Sequence, residues 1–345
     1  MRKIFPFEFL FIAAFAILLI PGTIWGQKTG KPALADKPLF RDPVFDGAAD
    51  PTVIYNRKEK KWFMFYTNRR ANAPGLNGVS WVHGTFIGIA ESADGGATWK
   101  YRDTCDIRYR KTDYTHWAPE VVEYKGIYHM FLTYVPGVFK DWNHPRRIVH
   151  LTSKNLINWD FESESDLSSD RCIDACVFPL PDGSWRMYYN NERDSKSIYY
   201  ADSPDLYKWT DSGKKVIGDR GGEGPNVFSW KGKYWMAVDN WSGCGIYSSD
   251  DLVNWKRQEK NILQESGKGT DDNVIGQHPD IVIDGDRAFI FYFTHPGRIP
   301  GNRSGSEYQM RRSSIQVAEL KYDDGQIVCN RDEPVYINLK PPGRR

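Results

Sequence analysis

Acidic residues recur at the heads of short, similar runs: Asp50 in A-D-P-T-V, Glu120 in W-A-P-E-V-V, Asp174 in I-D-A-C-V and Glu223 in E-G-P-N-V. A fifth run, Q-H-P-D-I-V, carries His278 and Asp280 in the same place. A single acid at a strand start is an ordinary hydrogen-bonding residue. Several at equivalent points of a repeat crowd negative charge into one mouth, which raises the pKa of at least one carboxyl and is costly unless a reaction or an ion uses it. Glu223 stands out because Gly222 and Gly224 flank it and Pro225 follows. The glycines are expected to let the backbone approach a ligand, while the proline stiffens the strand start and turns the carboxyl into the channel.

The elements that must position these acids are visible as a repeat. Each run continues into a tight turn rich in Gly, Asp or Lys and then an aromatic strand such as K-W-F-M-F-Y-T or R-A-F-I-F-Y-F-T, which is a hairpin signal. In the first four copies a third strand and a fourth element ending in Trp99, Trp159, Trp209 and Trp255 follow, and the fifth copy ends in D-D-G-Q-I-V without the tryptophan. Pro51, Pro119, Ala175, Pro225 and Pro279 align at ~50 to 70 residue intervals, the period of a repeated four-stranded sheet. A lone blade cannot cover both faces, so the sequence predicts an all-β, five-bladed β-propeller of four-stranded antiparallel sheets around a central channel. Few segments carry a helical period, and residues 29–48 are expected to form an arm outside the ring.

In such a ring the first strand of each blade is innermost and starts at the end of the channel where the second strand finishes. The strand-one starts supply Asp50, Glu120, Asp174, Glu223 and His278 with Asp280, and the strand-two exits supply Asn68, Arg69, Asn191, Glu192, Asp239, Trp241, Thr294 and His295. These are expected to converge on one site, with Arg69, Trp117, Trp142, Asp174, Asn191, Trp241 and His295 touching substrate.

A-D-P-T-V, W-A-P-E-V-V and E-G-P-N-V, in that order on successive blades, resemble the catalytic segments of glycoside hydrolase family 43 and its clan of five-bladed propellers. The resemblance covers most of residues 45–295. It implies Asp50 as general base, Glu120 as the acid that tunes and orients its partner, and Glu223 as general acid in an inverting hydrolysis. That chemistry needs two carboxyls about 6.5 to 9.5 Å apart, one protonated to serve the leaving oxygen and one ionised to activate water. Glu120 would keep Glu223 protonated by like-charge repulsion. The resemblance also implies a structural calcium in the axis beside His278, although Q-H-P-D differs from the family's usual histidine context and Glu120 replaces the more frequent aspartate. No cofactor is required for the reaction.

Composition narrows the partners. With 13 Trp, 19 Tyr and 18 Phe in 345 residues, the chain suits sheets and the stacking of sugar faces. A formal charge of +2 gives no reason to invoke nucleic acid or a membrane surface. Residues 1–26 read as a secretory signal, with Arg2 and Lys3 before an apolar run from Phe9 to Ile20, so residues 27–345 are expected as a single exported domain, secreted or periplasmic, without stable membrane insertion. Five cysteines at irregular spacing exclude a disulfide scaffold and a C-x-x-C zinc site while leaving room for one or two disulfides. Cys172 and Cys176, ~13 Å apart along one strand, should not bridge each other.

Three long loops at strand-two exits should wall the pocket, bringing Phe139, Trp142, Trp81 and Trp117 as stacking surfaces and Arg69, Arg70, Arg146, Arg147, Arg298 and Arg303 to the mouth. The arginines point to an anionic glycan or, alternatively, to loops pinned by local ion pairs. The expected activity is exo-acting release of an arabinofuranosyl or xylosyl unit from a plant or algal oligo- or polysaccharide. Galactosyl or anhydro-sugar specificity, and a carbohydrate-binding propeller without catalysis, are the alternatives.

Overall fold

A computed structural model describes residues 1, 30–109, 112–302 and 304–343. The segment read as a signal, apart from Met1, and Arg303 lie outside the described residues. The chain divides into Met1–Lys31 and Pro32–Arg345, and the second unit carries everything below. Among the described residues no helix is long and apolar enough to cross a membrane.

The described strands form five antiparallel blades in sequence order, so the predicted propeller is the observed fold. Blade one comprises Ala48–Asn56, Lys61–Asn68, Phe86–Ser92 and Lys100–Thr104. Blade two comprises Thr115–Tyr124, Ile127–Val135, Arg147–Ser153 and Asn158–Glu164, and Asp106–Ile107 adds a parallel fifth strand at its edge. Blade three comprises Cys172–Pro179, Trp185–Asn191, Ser197–Ser203 and Thr210–Ile217. Blade four comprises Glu223–Trp230, Lys233–Asp239, Cys244–Ser249 and Lys256–Arg257, and blade five Gln277–Asp284, Arg287–Thr294, Ser314–Asp323 and Gln326–Cys329.

The aromatic second strands lie inside each sheet with a blade on either face, so they are buried almost end to end; Trp62 through Asn68 has no exposed residue. A continuous apolar run is what a strand covered on both faces requires. The repeated tryptophan follows a repeated turn. In blades two to four the hydroxyls of Ser153, Ser203 and Ser249 accept from the amides of Leu156, Leu206 and Leu252, each of which has a left-handed φ. Asn155, Asp205 and Asp251 then cap the next two amides, so the turn satisfies its own backbone.

The first and last blades close the ring by packing. Ala35, Leu39 and Phe40 of the arm join Met64 and Tyr66 of blade one, Phe289, Phe291 and Ile315 of blade five, and Val335, Ile337 and Leu339 near the carboxyl end in one buried cluster. Ala33–Leu34 pairs antiparallel with Tyr336–Ile337, and Phe40 bridges to Ile315, tying both ends of the domain to this seam. Each large apolar side chain buried there contributes about 1.5–3 kcal/mol. All five cysteines are free, four of them buried, so the core stands without a disulfide.

Strand one of every blade breaks register at the same point. The pairings jump from Ala49 to Thr52, Trp117 to Glu120, Ile173 to Cys176, Glu223 to Asn226 and Gln277 to Asp280, while the partner strand advances by one residue fewer. This is a β-bulge, and its left-handed residue is Asp50 (φ 52°), Ala118 (φ 44°), Asp174 (φ 57°), Gly224 (φ 56°) or His278 (φ 44°). The conformation costs roughly 1–2 kcal/mol for most L-residues. Asp, His and Gly are the residue types that enter it most readily, which leaves Ala118 as the exception. A bulge re-aims the side chains on either side of it.

Candidate active site

The bulges divide the strand-one residues into two layers of the channel. The upper layer opens into a pocket of about 550 Å³, within the ~300–1,000 Å³ of small-ligand sites, and its lining includes Asp50, Asp174, Glu223, His278, Trp117, Ile173 and Gln277. A larger hollow of about 680 Å³ lies around Arg257, Ile262 and Val328 and contains none of these strand starts. The lower layer is Thr52, Glu120, Cys176, Asn226 and Asp280, which join neighbouring blades. Asp280 accepts from the Val53 amide at 2.8 Å, Glu120 from Val177 at 2.9 Å, Cys176 from Val227 at 3.2 Å and Asn226 from Ile281 at 3.1 Å.

Asp50 is the most firmly held acid of the pocket. Arg69 Nη2 donates to its two carboxylate oxygens at 2.8 and 3.1 Å, and His278 Nδ1 stands 3.4 Å from Oδ1. Burial pushes its pKa up, but Arg69, His278 and Thr67 outweigh that and hold it below the usual carboxylate range. Arg69 is itself braced. Its guanidinium lies 4.7 Å from the Phe293 ring centre, and its Nη1 is 3.1 Å from His295 Nε2, while His295 Nδ1 is 2.9 Å from the Arg312 carbonyl. Because a guanidinium only donates and a carbonyl only accepts, His295 is a neutral imidazole protonated on Nδ1. Burial and the charges of Arg298 and Arg69 hold its pKa well below the ordinary value, in agreement.

Asp174 sits between the other two acids. Its amide donates to Thr133 Oγ1 at 3.0 Å, and its Oδ2 accepts from the Gly224 amide at 3.1 Å. Burial, then the charges of Glu223 and Asp50, raise its pKa well above the ordinary value. Glu223 lies toward the lip. Trp241 Nε1 donates to Oε1 at 3.1 Å, and Lys196 Nζ donates to Oε2 at 3.1 Å while reaching Glu192 Oε1 at 3.3 Å. Asp239, paired with Glu223 across the hairpin, is pushed up to about 7 by burial and by the Glu223 charge, and it accepts from the amides of Trp241 and His278.

Several expectations are corrected here. Glu120 does not line the pocket: it lies two residues beyond the left-handed Ala118, in the lower layer, where burial and the Asp280 charge push its pKa to about 8. The bulge explains the error, since the acid in register with Asp50 is Asp174, expected only as a substrate contact. Asn191 is buried at the end of its strand, accepting from Ser169 Oγ and the Arg193 amide. Gly224 approaches the His278 ring, where an added Cβ would stand 2.8 Å from the ring carbon. Phe139 stacks on His144 at 3.4 Å instead of facing the pocket. Arg70 binds the Ser80 carbonyl and Arg147 pairs with Glu164, so these two pin local structure.

Trp81, Trp117, Trp142 and Trp241 wall the pocket, with Trp142 and Trp241 51% and 40% exposed at its rim. Arg171, Lys196, Gln277 and Phe293 also line it and were not read from the sequence. Lys196 follows Ser195 in a turn where both residues have left-handed φ, and N-E-R-D-S-K gives no sign of that. Among the described residues no group of three or more His, Cys, Asp or Glu side chains is placed to hold a metal ion. His278 directs Nδ1 to Asp50, a donor set that does not fit a protein-built calcium cage, and no step below runs through an ion.

Residues 118–282 match the family model "Glycosyl hydrolases family 32 N-terminal domain". A search of curated protein sequences finds no match. Among solved structures the chain is similar to a thermostable family-43 glycoside hydrolase, with 19% identity and TM-score 0.62 over 89% of this chain and 99% of that one. An exo-β-1,3-galactanase from Clostridium thermocellum gives 15% identity and TM-score 0.65 over 90% and 67%. Xylan β-1,4-xylosidase from Bacillus halodurans gives 13% identity and TM-score 0.63 over 89% and 61%. At these identities the structures establish the five-bladed fold, and the sequence match supplies the enzyme class. The chain is thus similar in sequence over residues 118–282 to family 32, and in fold to family 43, of the five-bladed propeller glycosidases.

Proposed function

We propose that the protein is an exo-acting, inverting glycoside hydrolase of the family-43 type that releases a terminal arabinofuranosyl or xylosyl unit from a plant or algal glycan. The observation that carries this reading is the gathering of Asp50, Asp174 and Glu223 around one walled pocket. Glu223, at the lip, donates its proton to the glycosidic oxygen as the bond from the anomeric carbon breaks. Asp50, held ionised by Arg69, removes a proton from the water that attacks that carbon from the opposite face. The leaving alcohol departs neutral and Asp50 ends protonated, so a proton returns through solvent before the next turnover. Asp174 takes the tuning and orienting role first expected of Glu120, because it is the carboxyl whose ionisation Glu223 and Asp50 oppose.

Trp81 and Trp117 in the wall suit sugar-face stacking, and a pocket walled on its rim by residues of three loops favours a chain end over a chain interior. Similar structures include a β-xylosidase and a β-xylosidase/α-arabinofuranosidase, which supports the pentose assignment. Export by the amino-terminal segment belongs to the same proposal. The test is product analysis on arabinan, xylan, galactan and algal oligosaccharides with NMR following the anomer first released. Release of one pentose with inverted configuration is expected. A retained anomer, or a protein that binds these glycans without cleaving them, would overturn the reading.

A further inference from the structure

The pocket holds more positive charge than its acids use. Arg69, Arg146, Arg171, Lys196 and Arg298 line it against four carboxyls, those of Asp50, Asp174, Glu192 and Glu223. Arg69 pairs with Asp50, Arg146 with Glu192, and Lys196 is shared by Glu192 and Glu223. Among the described residues no carboxylate pairs with Arg171 or Arg298.

The surplus is concentrated in one corner. Arg146 and Arg171, each one residue before a strand, are partners in an isolated parallel bridge between blades two and three. Arg146 is 2% exposed, and after binding Glu192 through Nε and the Trp142 carbonyl through Nη2 its Nη1 is buried without a partner. Arg171 donates Nη2 to Asn143 Oδ1 at 2.7 Å, and its Nε is likewise buried and unpartnered. Buried donors left unmet on two guanidiniums from bridged backbone positions are costly through lost hydrogen bonds, and an anion shared between them would supply the missing acceptors. Planar, bidentate donation suits carboxylate and sulfate oxygens alike.

We infer that the Arg146 and Arg171 corner binds an anionic substituent, a carboxylate or a sulfate ester, carried by the glycan that enters the pocket. The inference rests on the glycosidase reading only for the sugar to which the anion is attached. Arg298, 5.7 Å from the Trp81 ring centre, adds to the same field from the opposite loop.

The test is calorimetric binding to the full chain carrying Glu223→Gln, using neutral disaccharides and their uronate and sulfated counterparts. Charged disaccharides are expected to bind about tenfold tighter or more, with the advantage shrinking as salt rises. Arg171→Gln, checked by thermal unfolding, should bring them down to the level of the neutral sugars, while Arg171→Lys keeps part of the preference. The tighter arm, uronate or sulfate, identifies the source of the anion. Equal or better binding of the neutral set, no binding by any charged probe, or a preference that survives Arg171→Gln would overturn the inference. Hydrolysis assays separate the two readings: charged sugars bound by a wild-type protein that cleaves nothing would defeat the hydrolase alone, and efficient cleavage with no charge preference would defeat this inference alone.

Discussion

Two layers of carboxyls surround one axis, and they differ in what answers them. In the upper layer Asp50, Asp174 and Glu223 face an open pocket and are met by Arg69, a glycine amide, Lys196 and an indole N–H. In the lower layer Glu120 reaches from blade two to the Val177 amide of blade three, and Asp280 reaches from blade five to the Val53 amide of blade one and to Asn226 of blade four. Burial acts on Asp50 and Asp174 above and on Glu120 and Asp280 below, so perturbation alone does not mark a reactive carboxyl. Access and cationic partners do. The lower acids function as hydrogen-bonded clasps between blades.

Breaking the upper layer should have the largest effect. Asp50→Asn and Glu223→Gln should each lower kcat by about 10²–10⁴-fold, the usual range for a positioned acid or base, while thermal unfolding stays close to wild type. Asp174→Asn should be milder, roughly 10–100-fold, with the activity–pH profile displaced because a titrating neighbour has gone. The pH profile of the wild type should hold its acid limb below the ordinary carboxylate range, since Asp50 loses its charge only at its lowered pKa; a limb well above that range would contradict the role given to Asp50.

The lower layer should be visible in stability. Glu120 titrates at about 8 and Asp280 at about 7 in the folded protein, against ordinary values of 4.5 and 3.8. Between those limits the folded state binds more protons than the unfolded chain, so stability is full below the unfolded values and falls as pH rises through the folded ones. Each extra proton gives a slope of about 1.4 kcal/mol per pH unit. Glu120→Gln keeps an oxygen for the Val177 amide and should flatten the fall between about pH 5 and 8 when Tm is followed across that range. The smallest effect expected is from chelation: EDTA should leave both activity and Tm unchanged, and loss of either would place an ion in the axis.

The ring was legible because its signals are local and repeated: a turn, an aromatic strand and a tryptophan recur in step, and Ser153, Ser203 and Ser249 rebuild one turn in three blades. Asp50 and Glu223 were legible as strand starts bearing acids. Glu120 misled because a two-residue period treats W-A-P-E and A-D-P-T as equivalent, whereas the bulge places Ala118, not Glu120, opposite Asp50. The residue before each of the aligned positions Pro51, Pro119, Ala175, Pro225 and Pro279 is an acid only in Asp50 and Asp174, which pairs these two. Arg171 and Lys196 were hidden because each reaches the pocket from a loop whose path the blades determine.

The central claim is that the bulge layer acts and the clasp layer does not. Steady-state kcat of Glu120→Gln against Asp174→Asn, on whichever oligosaccharide the wild type cleaves best, tests it most directly. The account predicts near wild-type turnover for Glu120→Gln and a large fall for Asp174→Asn. Collapse of the first with survival of the second would contradict it.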